Sequence, residues 1–571
     1  MKSVARYWSA GLSVLLGIGV FLFWLLGYPY ALTYQEQYQL FLFSSDYFVE
    51  RISIAGGLSD YLGDFVAQFY YVPWMGALAL ALLAVAIQQL TMLNGQRGAV
   101  KGQRSKVKGR GTRCEDALNT QRSTLNTQHS TLHAPRSTLH AQLFSFVGPL
   151  LLLHLMGDES VLPTYQVAMV MVLLASLVFS RVKWYWEVLL VPCLYWAAGP
   201  MCWLYVVLHV ILRGWKWVWT LVWLLAVECV AYVTVMQQWP PESVLFCMNY
   251  YRTPMQMPLL MAIIPLAIAL VVLLSRFRLS NKMVLPLGVG CLVLAVVYIP
   301  SGYDADKYEL IRQDQLIRQE RWDDIIERAQ KHVVKTTFWS NSVNLALSQK
   351  RLQAERMFDF YQSGEDALAM PPHRDLTSNL PTAEAYYRLG LVNAAQRYMF
   401  DIQESILNGK KSGRCTKRIV QCMLVNGHYK PAAKQIAILK RSLFYSSWAE
   451  EAEMCLFKDS MVEGNAELGR LRKIRFKDDF LFSYGEIEKI FGLLFVNNPE
   501  NKMALDYFLA EHLLKGNVQQ FMQYLQWAQQ YGGYYAMPAG YQDAVRCIQS
   551  QGRESGKYGE YVQRQIEKVK K

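Results

Sequence analysis

A series of apolar runs in the first 300 residues limits what this chain can fold into. A helix needs roughly 20 apolar residues to cross a bilayer core. Nine runs near that length succeed one another: Trp8–Leu26, Val72–Met92, Leu143–Met156, Leu162–Ser180, Trp184–Ala198, Met201–Leu212, Val218–Met236, Pro258–Ser275 and Met283–Ile299. The expected fold is all-α: a polytopic transmembrane bundle of about nine spans, with the lipid bilayer as its first partner. Mean hydropathy over the chain is only +0.09, because everything after Tyr303 is polar. The expected parts are 1–94, two spans with an outer juxtamembrane loop at 27–71; an insertion at 95–142; further spans at 143–300; and a soluble region at 303–571.

Lysine and arginine placement sets orientation. Lys2 and Arg6 precede the first run, which reads as a retained anchor rather than a cleaved signal. Further basic clusters fall at Arg97–Arg113, Arg181 with Lys183, Arg213 with Lys216, and Arg276–Lys282. All of them land on one side if the N-terminus is cytoplasmic. That places the C-terminal region in the periplasm of a bacterium, with the spans in its inner membrane. Runs 184–198 and 201–212 are short: they either cross as two of the nine spans or form a hairpin that dips in without fully crossing, which leaves the side of the tail unchanged. One long helix there would set two basic clusters on opposite sides.

The net charge is +13, but the basic residues sit between apolar runs or among acids, so nucleic-acid binding is not expected. Ten cysteines contain no CxxC pair, so no structural metal is expected. Within 95–142, a basic stretch precedes the repeat LNTQRST, LNTQHST, LHAPRST. Only Leu118, Leu125, Leu132 and Leu139 are apolar there, so no coiled-coil seam exists. The segment reads as a disordered cytoplasmic insertion, and His129, His133 and His140 as incidental.

After Tyr303 the pattern is amphipathic helices with short turns. Gly390, Gly427 and Gly464 stand 37 residues apart and suit left-handed turns between paired helices. Further pairs are expected around Glu320–Trp322 and Gly516–Val518. The Gly and Ala positions resemble tetratricopeptide-type repeats, without the full consensus in any one repeat. That likeness implies a soluble α-solenoid with a concave surface for a protein partner.

The stretch Tyr34–Ala77, followed by many spans and a helical tail, resembles an uncharacterised family of bacterial polytopic inner-membrane proteins. The resemblance implies architecture and no activity. The first outer loop holds Glu36, Asp46, Glu50, Arg51, Asp60 and Asp64, in two expected juxtamembrane helices, 34–52 and 58–70, joined at Gly56–Gly57. This arrangement resembles membrane glycosyltransferases of the C superfamily, although no adjacent acidic pair occurs. The resemblance implies Glu36 as a base and Asp64 as holder of a divalent cation beside a lipid-linked sugar; otherwise no cofactor is expected. The plainer reading is that these acids keep an interfacial segment wet.

Glu228 lies mid-span, where an ionisable group is costly, and His154 or His209 are its candidate partners. Glu187 is near a run end and can snorkel to water. No P-loop, dinucleotide fingerprint, HExxH or nucleophile elbow occurs. Two functions follow. The first is an envelope-assembly protein displaying a periplasmic helical-repeat domain to protein partners. The alternative is a glycosyltransferase-C-like transferase using Glu36 and Asp64.

Overall fold

The computed structural model describes residues 2–111, 141–237, 244, 249–252, 256–276, 281–373, 375–407, 409–476, 486–531, 534, 536–553 and 556–570. Among these residues the structure is all-helical, with one isolated bridge between Val161 and Tyr251. The chain divides into two compact units, Met1–Asp304 and Ala305–Lys571.

In the first unit α1 (Lys2–Leu22) continues as a π turn, Phe23–Gly27. There follow α2 (Pro29–Glu36), α3 (Ser45–Ile52), α4 (Gly57–Ala67), α5 (Pro73–Gly111), α6 (Val147–Leu155), α7 (Pro163–Val178), α8 (Trp184–Ala198), α9 (Cys202–Arg213), α10 (Trp219–Thr234), α11 (Leu260–Leu274) and α12 (Asn281–Tyr298). Among the described residues four stretches are long and apolar enough to cross a membrane: Ala10–Gly27, Pro73–Arg97, Trp184–Arg213 and Trp215–Thr234. Ala141–Leu155, Pro163–Val178 and Leu260–Leu274 are apolar and shorter. Leu15, Leu82, Leu174, Leu189, Val222 and Leu266 stand exposed on these helices. Soluble surfaces rarely leave so much contiguous apolar area uncovered.

Trp184–Arg213 is not one rod. A straight helix would hold residues 187 and 209 about 33 Å apart, yet Glu187 Oε1 lies 3.0 Å from His209 Nε2. The chain reverses at Gly199, whose φ of 63° favours glycine, and Pro200 follows. The arms have 15 and 12 residues, about 22 and 18 Å, short of a hydrocarbon core of about 30 Å.

Between the first two long helices, the expected helix 34–52 is broken. α2 stops at Glu36, and α3 starts after Ser44, whose side chain accepts the Tyr47 N–H. Phe41 holds the intervening segment down through ring contacts with Tyr47, Tyr61 and Phe65 at 5.0–5.5 Å. The Gly56–Gly57 joint stands where expected. Gly56 has φ 79°, and a Cβ on Gly57 would lie 2.2 Å from the Arg51 carbonyl. A second correction concerns the insertion: α5 runs on to Gly111, so the basic stretch is helical that far, as its Lys, Arg and Gln content permits. Residues 112–140, with the repeat and its three histidines, lie outside the described residues.

In the second unit consecutive helices pack across tight turns. Gly390 (φ 92°) and Gly427 (φ 76°) end Leu380–Leu389 and Gly413–Asn426 in the left-handed region. Glu320 and Gly516 adopt positive φ at the two other expected turns. Gly464 departs from the pattern: it is the last residue of Asp459–Gly464, and Asn465 caps Ala466–Ile474 by accepting the N–H groups of Glu467 and Leu468.

The expected open solenoid also gives way. Solenoid repeats touch only their neighbours. Here Thr337–Gln349, buried along nearly its whole length, packs on Lys502–Leu514, and Gln353–Arg356 packs on Ala539–Gln549. A Cβ on Gly540 would lie 2.6 Å from the Ala354 carbonyl, and Lys557 pairs with Asp359. Cys422 and Cys455, a conceivable disulfide, are free and buried.

Candidate functional site

Small residues put α4 against the start of α7. Gly57, Ser59, Gly63 and Ala67 share its buried face with Asp60 and Asp64, and a Cβ on Gly63 would stand 2.4 Å from Thr164 Oγ1. That close approach turns both acids inward. Arg51, from the last turn of α3, sets Nη1 3.5 Å from Asp60 Oδ2. The Tyr47 hydroxyl donates to Asp64 Oδ2 at 2.7 Å, and Thr164 donates to Asp60 Oδ1 at 3.4 Å. Burial, then Asp64, pushes the Tyr47 hydroxyl well above its ordinary pKa. Burial works against the Arg51 charge, but Asp64, Tyr47 and Asp60 outweigh it and hold its pKa above the usual arginine value.

The reading of these acids as a wet rim fails for Glu36, Asp60 and Asp64, which are buried, whereas Asp46 and Glu50 are exposed. The cation expected beside Asp64 also lacks a fit. A guanidinium already supplies positive charge to this pair of acids, and Tyr47 takes an Asp64 oxygen. Among the described residues no group of three His, Cys, Asp or Glu is placed to hold a metal ion.

Glu36 belongs to a second buried stretch, Thr33–Phe41. Tyr34 and Tyr38 meet edge to face at 5.2 Å, and the Arg252 guanidinium lies 4.5 Å from the Tyr38 ring centre. α2 packs on the 3-10 turn Gln68–Tyr71. Several buried polar atoms of these elements have no hydrogen-bond partner among the described residues: Gln35 Oε1, both amide atoms of Gln39, Gln68 Oε1 and the Tyr70 hydroxyl. Leaving each unmade costs about 1–3 kcal/mol. Amides, phenols and flat rings of this kind suit a hydroxyl-rich ligand, and Arg252 suits an anion.

The polar residues of the apolar helices pair differently from expectation. Glu228 accepts from the Trp203 indole at 2.8 Å. His154 Nδ1 lies 2.8 Å from the Tyr298 carbonyl, and its ring stacks on Tyr298. His209 goes to Glu187, which is fully buried and also accepts from Tyr205 at 3.0 Å. Arg213 Nη1 is 3.6 Å from the same carboxylate. Sequence reading passed over Glu187 because of its place near a run end. The available signal was Tyr205, His209 and Arg213 at four-residue spacing, a polar stripe on an apolar helix.

The second unit has its own buried ion network. Arg414 Nη1 donates to Asp314 at 2.7 Å, and Arg418 Nη2 to Glu384 at 2.7 Å. Arg418 also lies 3.3 Å from Glu467 and 3.8 Å from the Tyr387 ring centre. Burial alone would raise the Glu384 carboxyl, but Arg418, Arg414 and Arg388 hold it below its ordinary value. On Lys502–Leu514, burial pushes Glu511 up to about 7 and Asp506 up to about 6.

A family model matches residues 5–568. The chain belongs to DUF6057, a family of unknown function. No curated protein and no solved structure matches it. DUF6057 membership thus covers both units, while the site chemistry rests on the geometry above.

Proposed function

We propose that this chain is a multi-pass protein of a bacterial inner membrane that acts on a lipid-linked sugar, with the loop between its first two spans as the substrate site. The supporting observation is the buried polar stretch around Glu36, with its unpartnered amides and phenol. A membrane tether has no need of such an interior. Glu36 follows the first long helix closely, at the depth where a lipid phosphate lies, and serves as base for an acceptor hydroxyl. Asp60, Asp64 and Arg51 hold the loop in shape. The N-terminus is cytoplasmic and the second unit periplasmic, from the one-sided basic clusters.

A second reading, the envelope-assembly protein with a helical-hairpin unit for protein partners, draws on a different observation. Leu443, Met454, Phe457 and Met461, close together in sequence, are all exposed on the second unit. Complementation of a deletion strain separates the two. Glu36→Gln removes the base and should abolish function at normal expression, since general bases typically contribute on the order of 10²–10⁴-fold. If Glu36→Gln complements fully while truncation after Tyr303 does not, the transferase is abandoned.

A further inference from the structure

The turn between α7 and α8 carries a cavity of about 560 Å³, with Arg181 and Lys183 at one end and Tyr185, Trp186, Leu189 and Cys193 along its wall. Both cations are exposed. Trp186 and Leu189 are 56% and 60% exposed, unusual for side chains of that size in water. Neighbouring arginines are already engaged. Arg97 donates to the Leu177 carbonyl and, at 2.8 Å, to the Ser180 hydroxyl. Arg213 donates to the Val182 carbonyl and lies over the Trp217 ring. Each thereby satisfies a carbonyl at or just beyond the end of α7. Arg181 and Lys183 differ: among the described residues neither has an anionic partner, and Lys183 lies only over the Tyr185 ring, at 5.8 Å.

We propose that this cavity binds an anionic phospholipid, with the phosphate on Arg181 and Lys183, the glycerol region against Tyr185 and Trp186, and an acyl chain along Leu189 and Cys193. The inference rests on the membrane reading above and is independent of the transferase. Two adjacent cations ending an aromatic and apolar wall match an amphiphile with a negative head. A soluble anion would leave the wall uncovered, and a neutral lipid would leave the cations unpaired.

The full chain in neutral detergent can be titrated with phosphatidylglycerol or phosphatidylcholine carrying brominated chains, which quench nearby tryptophan. Phosphatidylglycerol should bind about tenfold or more tightly. The exposed double substitution Arg181→Gln/Lys183→Gln should abolish that preference, and Trp186→Phe should remove a quenched component. Glycerol phosphate and inorganic phosphate should compete poorly. Equal affinity for the two lipids, a preference that survives the double substitution, or full competition by soluble phosphate would overturn the proposal. Release of the chain from membranes by alkaline carbonate without detergent would overturn the membrane reading, a result distinct from detergent-dependent extraction with no lipid preference.

Discussion

In the second unit buried Arg414 and half-buried Arg418 meet the buried acids Asp314 and Glu384, with Glu467 and Arg388 at the edge. In the first unit Arg51 faces Asp60 and Asp64. A matched network answers to stability, because removing one partner strands the other in low dielectric. The loop cluster is different: its acids also take neutral donors, Asp64 from Tyr47 and Asp60 from Thr164.

The largest expected effect tests the matched network. Arg414→Met should cost about 3–5 kcal/mol in urea unfolding, the usual result of stranding a buried charge. A cost below about 1 kcal/mol would remove one side of the comparison. Next comes Glu511, an acid in the second unit whose burial outweighs its cation, Lys515. Its folded pKa, about 7, lies above its ordinary 4.5. The folded chain therefore keeps a proton that the unfolded chain releases between those values, so this group's contribution declines as pH rises across that window. Glu511→Gln should remove a decline on the order of 3 kcal/mol, read as the difference between wild-type and variant stability from pH 4.5 to 7.5. Glu384, with its lowered pKa, contributes oppositely: its stabilisation is present above its ordinary value and is lost as pH falls below it. The smallest effect should come from Asp64→Asn, which leaves Arg51 paired with Asp60 and keeps an acceptor for Tyr47. Thermal melting should report a loss of about 1 kcal/mol or less. A loss as large as that of Arg414→Met would make the two clusters equivalent.

Much of the architecture was legible because it is written locally. Each apolar run carries a helix, and the short pair 184–212 folds back as its basic flanks required. Turns marked by Gly390, Gly427 and Gly516 depend only on a backbone conformation that glycine favours. Two things were not local. The 37-residue spacing suggested a third equivalent turn at Gly464, but an asparagine cap does that work. Closure of the second unit depends on contacts such as Ala354 with Gly540, which no periodicity announces. Glu36 and Asp64 were visible as loop acids, but their burial was not. The clue lay in Gly57, Ser59, Gly63 and Ala67, a small-residue stripe sharing a face with Asp60 and Asp64.

The meeting of Gln353–Arg356 with Ala539–Gln549, and of Lys557 with Asp359, also fixes an order of events. Early helices of the second unit find their final partners only after nearly two hundred further residues have been synthesised. Loop closure over that distance must be paid for before those contacts reward it. Thr337–Gln349, with Phe338, Trp339, Val343 and Leu347 buried in the finished unit, is covered early by Ala305–Arg318, Trp322–Lys331 and Leu380–Leu389 and waits only for its last face, against Lys502–Leu514. Nascent forms of this protein should need a holding chaperone until the last helix arrives, and loss of that helix should harm residues at the opposite end of the unit first.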